Sequence, residues 1–259
     1  MLPEGRDRSS DGPLQPTTGG KRMKAFRVAP ELFQRFPGLT IGVVVGHSLQ
    51  LPKDPDAIAD LLVTAQERLR REWGGRPPQE HPRIAPWRRA FQALGLSGVK
   101  YPSSIEALVR RALSERGVPS ILPLVDLYNA VSLTHVIPMG GHDLDALEGP
   151  IFLGPTCGGE RFRPLFSDAM EIVSPGEIAY LDGEDVLTRH WVWRQAHKDR
   201  ITPQTRTVFI PIDGLPEVGP AVVQAAAAEV AELLVAHFAA QVQVAFATQE
   251  EPEILLASN

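Results

Sequence analysis

A single cysteine, Cys157, leaves this chain without an internal disulfide and without a cysteine-built metal cluster. It stands in GPTCGGE, where a structural role is the simpler account, since a reactive thiol needs a base partner that the neighbouring sequence does not supply. Histidine is also scarce, with 7 in 259 residues and none in H-E-x-x-H or another ligand spacing. There is no G-x-S-x-G nucleophile elbow and no phosphate-cradling glycine loop. ATP, NAD and metal cofactors are therefore not expected. No apolar run reads as the roughly 20-residue span of a bilayer, and the first residues lack the apolar block of a secretory signal, which gives a cytoplasmic expectation. Positive charge is in deficit, 26 Lys and Arg against 31 Asp and Glu. A net charge of −5 excludes a protein that coats nucleic acid indiscriminately, but it permits a local basic patch.

What is present is ordinary for a globular chain: 43% hydrophobic and 22% charged residues, enough for one large domain. Residues 1–22 mix Gly, Pro, Ser, Thr and charge without apolar periodicity and read as a disordered tail, leaving 23–259 as a single domain. Ile41 to Val45, IGVVV, suits a buried strand. Asp54-Pro55 opens an amphipathic helix that runs to about Trp73, and GGRPP at 74–78 breaks the chain. A short helix is expected around Pro86 to Leu94. Ser103-Ser104-Ile105-Glu106 has the capping-box pattern and starts another helix. Beyond Gly149 come short β-like runs, IFL, MEIV, EIAYL, HWVW and TVFIPI, separated by Gly and Pro turns. An Ala-rich helix from Pro216 to about Phe238 and a closing strand QVQVAFA complete the chain, a pattern that fits a βαβ crossover. The fold class is α+β, helices packed on a mixed, mostly antiparallel sheet.

The stretch Pro119 to Asp143 is the candidate centre. A helix from near Pro123 puts Leu124, Leu127, Tyr128 and Val131 on a core face. Asp126, Asn129 and Ser132 lie off that face at three-residue spacing and form a polar ridge. The ridge runs into the turn Pro138-Met139-Gly140-Gly141-His142-Asp143, where backbone can approach a ligand. Solvation of Asp126 and Asn129 and an ordinary Gly-Gly turn are the competing account. Arg88, Arg89, Arg110 and Arg111 fall in a basic stretch suited to touching an RNA backbone, with a solvated helix surface as the alternative.

The words LVDLYNAVSL, PMGGHDLDAL, GGERF, GEIAYLDGEDVL and WRQ, followed by a Thr-bearing strand, occur in the order found in the B3/4 domain. That is the editing domain of the bacterial phenylalanyl-tRNA synthetase β subunit, and the chain resembles its free-standing relatives more closely still. The resemblance covers roughly residues 87–213. It implies a pocket that hydrolyses a wrong amino acid from tRNA, tyrosine esterified to the tRNA for phenylalanine in the synthetase, with aminoacylated tRNA as partner. Hydrolysis of such an ester needs an aligned water, help with its proton and dipoles for the oxyanion. His142, Glu160 and Asn129 are the candidates for water and ammonium contacts. Asp126, Ser132, Met139, Gly140, Gly141, Gly159, Arg194, Gln195 and Asp199 are the candidate pocket lining. Two departures stand out. Where the synthetase has P-M-H-A-F-D, this chain has PMGGHD, so that the family's histidine position falls on Gly140; and its A-G-I-M-G-G word is replaced by WRQAHKD. A non-catalytic tRNA or RNA-binding module and a pocket for a free amino acid or related metabolite are the alternatives, and the oligomeric state is open.

Overall fold

In the computed structural model, which describes residues 24–257, the first described element is a strand. β1 (Lys24–Val28) leads through α1 (Pro30–Arg35) to β2 (Thr40–His47), all eight residues of which are buried. α2 (Pro55–Trp73) starts where the sequence places it, with the Asp54 side chain accepting from the Ala57 amide at 3.0 Å. A short 3-10 turn (Pro78–Glu80) precedes α3 (Ala85–Ala93), α4 (Ser104–Leu113) and α5 (Pro123–His135). The two-residue strand β3 (His142–Asp143) and a second 3-10 turn (Leu144–Ala146) follow. Then come β4 (Ile151–Pro155), β5 (Arg161–Phe162), β6 (Glu171–Ile172), β7 (Ile178–Asp182), β8 (Asp185–Arg189), β9 (Arg194–Gln195) and β10 (Val208–Gly214). The chain closes with α6 (Pro220–Phe238), β11 (Gln241–Ala247) and β12 (Glu253–Leu256). The tail expected over residues 1–22 lies outside the described residues.

The strands form two sheets rather than the single sheet expected. The smaller has the order β11-β2-β10-β3 and is antiparallel throughout. The larger has the order β12-β1-β4-β7-β8-β5-β6, with β9 hydrogen-bonded to β8. It is mixed: β1/β4 and β5/β8 are parallel, the other pairs antiparallel. Helices do not simply precede strands, because β1 and β2 come before most of them and the first and last described strands, β1 and β12, pair with each other. β10 and β11 flank β2 and are both antiparallel to it, so they run parallel to each other, joined by α6.

α6 is long and apolar enough to cross a membrane by length and composition, contrary to the reading that no such run exists. Here it packs on the small sheet, with Val223, Ala226, Ala227, Val230, Leu234 and Phe238 buried. The expected strand HWVW is a turn instead. His190 and Trp191 have φ of +46° and +68°, a left-handed geometry that costs a bulky residue of order 1 kcal/mol or more. Burial offsets that cost. The Trp191 indole enters the core edge-on to Trp87 at 5.1 Å and donates to Asp213, a position that regular alternation along a strand would not give it.

Candidate functional site

α5 ends at a knot of bonds that aims the next segment. Val136 caps it with φ +47°, the Ile137 amide reaches the Ser132 carbonyl at 3.1 Å, and Ser132 Oγ donates to the Ile137 carbonyl at 2.7 Å. Ser132 therefore turns the chain and does not face a ligand. Asp126 is likewise occupied, accepting from Ser120 Oγ at 2.5 Å and the Ile121 amide at 2.9 Å in front of the helix. Asn129 is half-buried on the same helix and lines neither the cavity bordered by His142 nor the recess bordered by Glu160. The polar ridge read from the sequence thus serves the helix, and α5 itself forms no wall of the site.

The turn that α5 aims does form one. Met139 bridges to Ile212, the Asp213 amide donates to the Pro138 carbonyl at 3.0 Å, and β3 then pairs with β10. Between those two anchors a Cβ added at Gly140 would meet nothing within 4 Å. Gly141 is the opposite case: a Cβ there would lie 2.7 Å from the Tyr128 ring, so glycine is required by close approach. Gln195 from β9 fixes this turn, its Nε2 donating to the Gly141 carbonyl at 2.8 Å.

Where the two sheets meet, Met139, Gly140, His142 and Gln195 line a cavity of about 120 Å³. Tyr180, Trp191 and Asp213 line it as well. This is close to the size of an engineered apolar cavity that takes a benzene ring, about 150 Å³. His142 is 3% exposed, and its Nδ1 is hydrogen-bonded to Oδ2 of Asp199, which is fully buried. A carboxylate accepts, so Nδ1 carries the proton and Nε2 is left as the basic nitrogen. Asp199 Oδ1 has no hydrogen-bond partner among the described residues.

Asp213 is the second ionisable group of the cavity. Its Oδ1 accepts from Tyr180 Oη at 2.7 Å and Trp191 Nε1 at 2.8 Å, and no bond to Oδ2 occurs among the described residues. Burial pushes its carboxyl up to about 6, against the opposing pull of those two donors and of His142. Burial likewise raises the Tyr180 hydroxyl well above its usual range, which keeps it a donor. Asp213, Tyr180 and Trp191 were missed as candidates from the sequence. The available signal was a carboxylate at the end of the apolar run VFIPI.

Glu160 belongs elsewhere. Its carboxylate accepts from the Cys157 amide at 2.6 Å and the Gly158 amide at 2.9 Å, closing its own turn, and it borders a different, acidic recess with Glu148, Asp182 and Glu184. Gly159 donates its amide to the Val173 carbonyl at 3.0 Å, so the amides of Cys157, Gly158 and Gly159 are all engaged within the fold. His142, Glu160 and Asn129 therefore do not surround one cavity, as the sequence reading had placed them. Arg194 lies outside the cavity wall, exposed, with its guanidinium 5.8 Å from the Trp193 ring. The four arginines read as an RNA surface are engaged within the fold. Arg88 and Arg110 converge on Glu106 at 2.6 Å each, Arg89 meets Glu217 at 3.2 Å, and Arg111 Nε donates to the Gly117 carbonyl at 2.7 Å.

A search of curated proteins finds no match. Among solved structures, the chain is similar to an N-terminal fragment of the phenylalanyl-tRNA synthetase β-subunit from Pyrococcus horikoshii at 16% identity and a TM-score of 0.44. The likeness covers 88% of this chain and 53% of that one, so the chain spans about half the length of the fragment. The sequence model of the B3/4 domain matches residues 87–239, more than half of the chain and every wall of the cavity from Ser104 to Asp213, and the chain therefore belongs to the B3/4 domain family.

Proposed function

We propose that the cavity between the sheets hydrolyses the ester of a mischarged aminoacyl-tRNA in trans. The observation that carries this reading is the His142–Asp199 pair on the wall of a cavity that also holds Asp213. With Nδ1 tied to Asp199, His142 Nε2 takes a proton from a water as that water attacks the ester carbonyl. The backbone at Gly140, uncovered by any side chain, polarises the carbonyl and receives the developing oxyanion. The tetrahedral intermediate then expels the ribose oxygen, which takes the proton back from His142. The products are the free amino acid and a tRNA with its terminal hydroxyl restored. Asp213, ionised above its raised pKa, holds the ammonium of the aminoacyl group. The small cavity volume selects side chains up to about one ring in size.

A deacylation screen over a panel of mischarged tRNAs tests this. The wild type should cleave at least one ester about a hundredfold faster than buffer, the usual scale of one positioned proton-transfer group. His142→Ala should lower that rate about a hundredfold or more. Asp199→Asn should lower kcat with little change in KM, because it disturbs only the orientation and tautomer of His142. A protein that binds tRNA and protects every ester would instead be a non-catalytic binding module.

A further inference from the structure

At the rim of the cavity the turn 190–193 and the loop before α4 meet, joined by the Ser104 amide donating to the Val192 carbonyl at 2.7 Å. They bring together an aromatic group. Trp193, which lines the cavity, stands edge-on to Tyr101 at 4.8 Å, with the His190 ring 4.2 Å from Tyr101 and 5.1 Å from Trp193. Trp193 and Tyr101 are half-buried. A cation lies over each: Lys100 Nζ is 5.1 Å from the Tyr101 ring and Arg194 Cζ 5.8 Å from the Trp193 ring. Both cations are exposed, and the nearest carboxylate to Arg194, Glu171, is 3.9 Å away. The platform is stiff. Arg189 holds the turn through a bidentate pair with Glu177 at 2.9 and 2.7 Å, and the Trp193 amide returns to the Arg189 carbonyl at 3.1 Å.

Aromatic rings bordered by cations suit a single-stranded nucleotide, whose base stacks on a ring while its phosphates lie against Lys or Arg. We infer that Trp193 and Tyr101, with Lys100 and Arg194, seat the 3′-terminal nucleotides of the tRNA, so that the esterified ribose overhangs the cavity and its aminoacyl group points inward. The inference rests on the aminoacyl-tRNA reading above and names the residues that bind the RNA end, which differ from the arginines of α3 and α4. Trp193 fixes where the ester arrives; it is not assigned any proton.

The test compares binding of the full chain to an uncharged tRNA and to the same tRNA shortened by its three 3′-terminal nucleotides, by filter binding at fixed salt. The wild type should prefer the intact tRNA by about tenfold, the scale of one base stacked on an aromatic ring. Trp193→Leu should abolish the preference, and Trp193→Phe, which keeps a stacking face, should retain most of it. Lys100→Gln and Arg194→Gln alter exposed side chains and should each reduce the salt dependence of binding to the intact tRNA by about one unit of slope. The inference is overturned if the wild type binds both tRNAs equally or neither, or if Trp193→Leu and both charge variants behave as wild type. The two readings fail separately. Ester cleavage without a preference for the intact end removes this inference and leaves the hydrolase, while a Trp193-dependent preference without any ester cleavage removes the hydrolase and leaves the RNA seat.

Discussion

Asp213 lies one residue before the end of a strand in which Val208, Phe209, Ile210 and Ile212 are fully buried, and it is itself only 2% exposed. A charge there is stabilised only by the donors that surround it, Tyr180 and Trp191, with His142 nearby. Its carboxyl titrates near 6 in the fold against an ordinary 3.8, so between those values the native state keeps a proton that the unfolded chain has lost. Stability conferred by that protonated form falls as pH rises from about 4 to 6, by on the order of 3 kcal/mol for a shift of this size. Asp213→Asn cannot ionise and keeps an oxygen for the two donors. Urea unfolding of both proteins across pH 4 to 7 should show the variant gaining on the wild type as pH rises through that window. Parallel stability profiles would mean that the buried carboxylate is better solvated than its surroundings imply. In the sequence the residue is visible as an acid ending an apolar run, but its donors lie 33 and 22 residues away and only the fold supplies them.

At the scale of elements, most helices were legible and their polar neighbours were not. α2, α4 and α5 begin where Asp54, Ser103 and Pro123 signal a start. The capping box before α4 forms only in part. Ser103 Oγ accepts from the Glu106 amide at 3.3 Å, but the Glu106 side chain, fully buried, takes Arg88 from α3 and Arg110 from its own helix. The Ser104 amide meanwhile goes to Val192. Glu106 thus clamps α3 to α4, which explains why arginines that look like a nucleic-acid patch in the sequence face a carboxylate. Glu106→Gln should destabilise the protein by about 2 to 3 kcal/mol, read as a lower urea midpoint, because it removes a buried charge from two guanidinium groups. Arg110→Ala should cost less than about 1 kcal/mol, since that side chain is 54% exposed and its charge is already largely hydrated. Equal stability of Glu106→Gln and wild type would show that the clamp is replaceable by water.

The first and last described strands, β1 and β12, pair with each other. β12 covers the free edge of β1 and buries Ile254 and Leu256, while Gln243 of β11 bonds the backbone of Leu255 and Ala257 at 2.8 and 2.7 Å, tying the two sheets together. Ending the chain at Thr248 should cost about 3 to 6 kcal/mol, the burial of two aliphatic side chains, and leave an open strand edge prone to association. Light scattering together with urea unfolding of the truncated protein checks both effects, and an unchanged midpoint would make the last strand dispensable. The sequence by itself determined the α+β class, the starts of α2, α4 and α5 and a buried strand at Ile41 to Val45, within the observed Thr40–His47, because periodicity and caps act through near neighbours, whereas the last helix starts at Pro220 and not at Pro216. Only the tertiary structure decided that the strands split into two sheets, that HWVW is a turn, that Glu160 and Asn129 stand apart from His142, that Asp199, a candidate already, bonds His142, and that Asp213 shares its cavity. Those outcomes depend on which buried donor finds which buried acceptor across 22 to 57 residues of chain, and a polar side chain carries no local mark of the partner it will meet.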